Sequence, residues 1–98
     1  MKYSFIIPAY NNSALLQNTL VTLNHLTPLG RNDYEVIVID DGSDKRMDEI
    51  IKAIPKAYTL QYIYVPRTED SSRAKARNVG IGKAIGEYVV FIDADIIV

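Results

Sequence analysis

The sequence predicts an α/β fold, a three-layer open sheet that is mainly parallel, with the element order βαβαβαβ. Two observations carry this. Four short runs rich in β-branched and aromatic residues alternate with stretches whose apolar residues recur every three or four positions, the alternation of a parallel sheet with right-handed helical crossovers. Two of the runs, Tyr34 to Ile39 and Tyr88 to Ile92, are unbroken enough to be buried on both faces, and both end in carboxylates, Asp40-Asp41 and Asp93-Ala94-Asp95.

In chain order, Tyr3 to Ile7 reads as a short central strand stopped by Pro8, which removes a backbone donor. The loop Tyr10 to Ser13 follows, with Asn12 or Ser13 placed to cap a helix. Leu16, Leu20, Leu23 and Leu26 form that helix's buried stripe, and Pro28 and Gly30 mark its stop. After a loop from Thr27 to Asp33 comes the strand Tyr34 to Asp40. Ser43 or Asp44 is placed to cap a second helix, with Met47, Ile50, Ile51 and Ile54 at i, i+3, i+4 and i+7 and Pro55 at its end. Leu60 to Val65 is the third strand, closed by Pro66. A third helix starts at Ser71 or Ser72 and runs to about Ile85, with Gly86 in the position of a left-handed exit. Its apolar side is small, with Ala74, Ala76, Gly80 and Ala84, which permits close approach to the sheet. The strand Tyr88 to Ile92 then reaches the aspartates.

The 98 residues make one domain, burying more than about 60 % of the unfolded chain's surface. A formal net charge of -1 gives no global field toward nucleic acid or an anionic membrane. The absence of cysteine excludes disulfides and thiolate metal sites. Neither a signal peptide nor a membrane-length apolar run is present, so a soluble cytoplasmic location is expected, at the cytoplasmic face of the membrane in a longer parent.

Parallel strands would bring Asp40, Asp41, Asp93 and Asp95 to one sheet edge, where open α/β sheets bind ligands. Two carboxylates about 6 Å apart repel by roughly 3 kcal/mol at an effective dielectric near 20, so the cluster calls for a counter-charge. Oxygen ligands select a hard cation, Mg²⁺ or Mn²⁺, which completes its shell with water and phosphate oxygens. Arg73, Lys75 and Arg77 near a helix amino terminus, with Arg67 after the third strand, could cradle a diphosphate, or form a solvated face paired with Glu69 and Asp70. Tyr10 could stack on a base or simply pack. His25, the single histidine, reads as a local cap or a surface residue.

Four segments in this order resemble the donor-binding half of the family-two glycosyltransferases. They are Phe5-Ile6-Ile7-Pro8-Ala9-Tyr10-Asn11, Val36 to Ser43, Ala76-Arg77-Asn78-Val79-Gly80, and Gly86 to Asp95. The resemblance covers nearly the whole chain and implies the GT-A, Rossmann-like nucleotide-diphospho-sugar transferase fold. It further implies an inverting enzyme with a nucleotide-diphosphate sugar donor, often a UDP-sugar, and a hydroxyl acceptor, glycan or lipid-linked. By the same resemblance, Pro8, Ala9 and Tyr10 wall the base pocket, Asp41 accepts a hydrogen bond from the base, and Arg67 reaches the same ring. Asp93 binds ribose or helps the metal, Asp95 ligates Mg²⁺ or Mn²⁺, and Asp40 and Arg77 support the acidic edge. The sequence departs from the family pattern where Ile96 replaces a further acidic residue, and where Glu69-Asp70-Ser71 replaces a glycine.

In that family the acceptor site and the catalytic base follow the metal motif. The 98 residues are therefore expected to be an amino-terminal piece that binds nucleotide weakly, transfers no sugar, and self-associates through residues 88 to 98. Two alternatives compete. A haloacid-dehalogenase-like phosphatase would use Asp93 as nucleophile and Asp95 as acid, and a non-catalytic nucleotide-binding module would need no metal.

Overall fold

The structure, a computed structural model, describes residues 2–25, 33–56, 58–69 and 73–92. Strands β1 (Tyr3–Ala9), β2 (Tyr34–Asp40), β3 (Thr59–Tyr64) and β4 (Tyr88–Phe91) form one sheet in the order β3-β2-β1-β4. All pairings are parallel, with Tyr3 opposite both Tyr34 and Tyr88, and Val36 opposite Leu60. Helices α1 (Ser13–Thr22), α2 (Asp48–Ala53) and α3 (Arg73–Lys83) occupy the connections, and a 3-10 turn, Leu23–His25, extends α1. Among the described residues no helix is long and apolar enough to cross a membrane.

The period-two alternation of β1 and β2 divides the core into two layers. Phe5, Ile7, Val36 and Val38 face α1 and α2, where they meet Leu16, Leu20, Leu23, Met47, Ile51 and Ile54. Ile6, Ile37 and Ile39 face the other way and meet α3 through Ala76. This second layer is thin because its helix is made of small residues. A Cβ on Gly80 would lie 2.5 Å from Ile6 Cγ2, so only glycine lets the helix axis come this close. The closeness expected of Ala76 and Gly80 is what the structure has.

Several local expectations are corrected. Pro8 does not end β1, which continues to Ala9. The Ile92 N–H donates to the Ile6 carbonyl at 3.0 Å, while Asp41 N–H donates to the Ala9 carbonyl at 2.8 Å. Odd-numbered residues of β1 therefore address β2 and even-numbered ones address β4. Pro8 withholds its donor only on the β4 side, so pairing stops there and continues on the other side.

Helix α2 begins at Asp48, with Met47 rather than Ser43 or Asp44 at its cap position, because the Met47 N–H donates to the Tyr62 hydroxyl at 3.1 Å. Asn12 stands at the α1 cap position, but its backbone carbonyl, not its side chain, takes the Leu16 N–H. The third strand lies one residue earlier than expected. Helix α3 stops at Lys83, and the positive-φ glycine among the described residues is Gly42, not Gly86. Gly86 instead donates its N–H to Ser4 Oγ at 2.8 Å, tying the entrance of β4 to β1. Leu26, Pro28, Gly30, Ser71 and Ser72 lie outside the described residues.

Candidate functional site

The strand order places a reversal between β1 and β4. The chain winds outward from β1 through β2 to β3, then returns across the opposite face to set β4 on the far side of β1. In open α/β sheets ligands bind in the crevice outside the carboxyl ends of two such neighbours.

Three side chains meet at this edge. Tyr10, the first residue past β1, is about half exposed, and the Arg67 guanidinium lies 4.1 Å from its ring centroid. Arg67 also donates through Nη1 to the Asp41 carboxylate and to the Asp41 carbonyl, both at 3.1 Å. The Asp41 side chain is 10% exposed, so this ion pair is largely shielded from solvent on the carboxylate side. A planar cation thus lies across an aromatic face with its edge on a carboxylate.

The two loops that carry these groups are bound to each other. Asn11 adopts φ 54°, a left-handed conformation that asparagine tolerates. Its N–H donates to Ser43 Oγ at 2.8 Å, its amide donates to the Asp44 carboxylate at 3.3 Å, and its amide oxygen accepts the Asp44 N–H at 2.8 Å. Gly42 has φ 74°, and a Cβ there would lie 2.5 Å from the Arg67 backbone nitrogen. The turn after β2 consequently fits against the segment carrying Arg67 only as glycine.

Asp40 is a correction to the crowded acidic edge. Its side chain is fully buried and turned toward the α1 and α2 face, where Oδ1 accepts the Ser43 N–H at 2.9 Å and Oδ2 accepts the Tyr62 hydroxyl. It shapes the turn and has both oxygens engaged away from the exposed edge, so its support is structural. Burial, then the bond to Asp40, pushes the Tyr62 phenol well above its ordinary range, which keeps it a donor. Tyr64 donates to the Ser43 carbonyl at 3.1 Å, and the Arg46 guanidinium stacks 4.7 Å from its ring centroid.

Arg77 lies on α3 with its guanidinium 5.5 Å from the Phe91 ring centroid, under the end of β4. His25 is exposed at the end of the 3-10 turn. Pro8 is partly covered and Ala9 buried, so this wall of the crevice is largely backbone. Asp93 and Asp95 lie outside the described residues, and β4 runs parallel to β1 into the segment that holds them. Among the described residues no cluster of three or more potential metal-ligating side chains occurs. Asn11, Ser43 and Tyr62 take part without having been expected as site residues. Asn11 next to a tyrosine after a strand, with Asp-Gly-Ser in the facing loop, was the available signal.

Comparison with known proteins gives this arrangement a family. A family model described as Glycosyl transferase family 2 matches residues 4–98. A poly(ribitol-phosphate) beta-glucosyltransferase of Bacillus spizizenii is 36% identical over 96 residues, covering 97% of this chain and 15% of that protein. Among solved structures, Staphylococcus aureus TarS in complex with UDP-GlcNAc superposes with a TM-score of 0.82 at 28% identity, over 97% of this chain and 27% of that one. A mannosyltransferase from Pyrobaculum calidifontis in complex with GDP-Man and Mn²⁺ superposes with a TM-score of 0.83 at 26% identity, over 96% of this chain and 27% of that one. The chain therefore spans a small part of each relative's length. Its sheet is that of the GT-A glycosyltransferases, and the chain belongs to glycosyl transferase family 2.

Proposed function

We propose that these residues form the donor-binding part of an inverting glycosyltransferase that takes a nucleotide-diphosphate sugar, with uracil as the base, and delivers the sugar to a hydroxyl of a glycan or lipid-linked acceptor. The observation that carries this reading is the Tyr10, Asp41 and Arg67 group at the crevice beside β1. It offers a flat aromatic face and an acceptor carboxylate within one base's reach, bridged by the Arg67 guanidinium, and such a pair of features recognises an apolar ring with a polar edge. The choice of uracil leans on the relative bound to UDP-GlcNAc. Family membership answers the phosphatase alternative.

In this reading Tyr10 stacks on the base, Asp41 accepts its ring N–H, and the backbone of Pro8 and Ala9 closes the inner wall. Asp93 and Asp95 would hold Mg²⁺ or Mn²⁺. The fit is one of chemistry and direction, because both offer hard oxygens and β4 points its carboxyl end toward the edge that carries Asp41. When bound, the cation neutralises the diphosphate and so favours its departure. Arg77, held against Phe91, steadies the end of β4 from below. The base that takes the acceptor's proton is placed in the remainder of a longer protein, so the 98 residues alone bind donor and turn nothing over.

The test is calorimetric titration of the chain with UDP, GDP, CDP and ADP, each with and without Mn²⁺. UDP should bind best, and more tightly with Mn²⁺. Asp95→Ala should remove the metal-dependent gain while leaving the circular dichroism spectrum unchanged. Equal heats with and without Mn²⁺, or no heat from any nucleotide, would refute the reading.

A further inference from the structure

Arg67 occupies the surface that a base would need. Its guanidinium carbon is 4.1 Å from the Tyr10 centroid, an ordinary stacking distance that leaves no slot between the two planes. A ring inserted between them would require about 7 Å, twice the optimal contact separation. The same guanidinium holds Asp41, through a carboxylate contact and a carbonyl contact at 3.1 Å. It therefore satisfies both features that a base would use, a π face and an acceptor edge, with a planar group that presents donors along its rim.

We infer that Arg67 is a displaceable stand-in for the base, a specificity-determining residue that must leave Tyr10 and Asp41 before a nucleotide can bind. The inference rests on the donor-site reading above and opposes the simpler role of Arg67 as a fixed second wall. Half of the Arg67 side chain is exposed, and among the described residues no carboxylate other than Asp41 is bonded to it, so its departure there breaks the contacts named here. A ligand gains net affinity only if it replaces them. Stacking alone returns the Tyr10 contact but leaves the Asp41 carboxylate without its donor, which is penalised. A base with a ring N–H restores both. The consequence is opposite in sign to that of a wall, since removing the arginine should strengthen binding.

The experiment measures UDP affinity by calorimetry, in excess Mn²⁺, for the 98-residue chain and its Arg67→Ala and Arg67→Lys variants. It also follows the Arg67 side-chain N–H in the NMR spectrum of the unsubstituted chain. Arg67→Ala should bind UDP about three- to ten-fold more tightly, from the loss of one half-exposed cation–π stack and one ion pair as competitors. Arg67→Lys should fall between, because an ammonium keeps the charge but not the flat stack. The ring-current shift of the Arg67 Nε–H by Tyr10 should vanish as UDP is added. If UDP binds the unsubstituted chain but more weakly to Arg67→Ala, or if the ring-current shift persists at saturation, Arg67 is a wall and only this inference is overturned. If UDP binds none of the three proteins, the donor-site reading fails and this inference with it.

Discussion

Removing the carboxylate of Glu35 should destabilise the chain by about 2 kcal/mol, a large share of the 5 to 10 kcal/mol expected, on the order of magnitude, for a domain this size. Glu35 lies opposite Ser4 at the amino end of the β1–β2 pair and is 7% exposed. Its Oε2 accepts the Ser4 hydroxyl at 2.5 Å and the Ile85 N–H at 2.9 Å, while Ser4 Oγ accepts the Gly86 N–H at 2.8 Å. Two donors thus depend on one anion. Hydrogen bonds to a charged acceptor contribute roughly 1.5 to 3 kcal/mol each, but Glu35→Ala also abolishes the cost of burying the charge, so the net loss falls near the lower figure. Glu35→Gln keeps an acceptor and should cost about half as much. Urea unfolding measures the loss, with an unchanged slope indicating that native and unfolded states keep their compactness. Ser4→Ala in the same background closes a double-mutant cycle, whose coupling should be about 1 kcal/mol. Amide exchange at Ile85 and Gly86 should quicken in either variant, because these two residues lead into β4. Additive single effects, or a loss below about 0.5 kcal/mol for Glu35→Ala, would mean that the network merely coexists with the fold and does not hold the β4 entrance.

Three further outcomes follow from the same geometry. Gly42→Ala should cost about 2 to 4 kcal/mol in urea unfolding and weaken UDP binding, because φ 74° strains any side chain and the new Cβ would meet the Arg67 backbone at 2.5 Å; an unchanged midpoint would refute it. Tyr58 and Tyr62 titrate above the ordinary phenol value of 10.0 chiefly because they are buried, so the folded state keeps these protons longer than the unfolded state. Their contribution is complete below that value and is lost as pH rises through it toward the folded values, and unfolding free energies flat between about pH 9 and 11 would contradict this. Finally, among the described residues β4 is the edge of the sheet, with Tyr88, Val89 and Phe91 all exposed, so sedimentation at high concentration should show association that Val89→Lys reduces, whereas a monomeric profile throughout would count against it.

The alternation of two hydrophobic periods is enough to read the order of strands and helices, since each run is short and keeps its own spacing, large apolar residues in most and small ones in α3. It is not enough to place the ends. Pro8 suggests a stop because proline lacks a donor, yet a strand has two sides and only one of them loses a bond. Ser43 and Asp44 looked like caps because their side chains favour helix starts, but Asn11 claims both of them from across the edge. Tyrosines were the least legible residues. Tyr34 and Tyr58 donate to the Leu23 and Leu20 carbonyls at 2.7 and 2.6 Å, and Tyr62 donates to Asp40, contacts between residues 11 to 38 positions apart that no local pattern encodes.

The location of the site shows why a carboxylate's position in the sequence is weaker information than the face it takes. Asp40 and Asp41 are neighbours at the end of one strand and look alike as acidic tips. Period-two alternation sends their side chains to opposite sides, so Asp40 turns toward the Leu and Ile layer of α1 and α2 and must be satisfied there by Ser43 and Tyr62. Asp41, one residue past the strand, pairs instead with Arg67. Which of the two would be free for a ligand depended on which helix covers which face. That difference is visible in composition, because α3 alone carries the small residues Ala76 and Gly80 against Ile6. A right-handed crossover from β3 back past β2 requires α3 on this thin face and sets β4 on the far side of β1, and Ala76 and Gly80 let the helix sit close there.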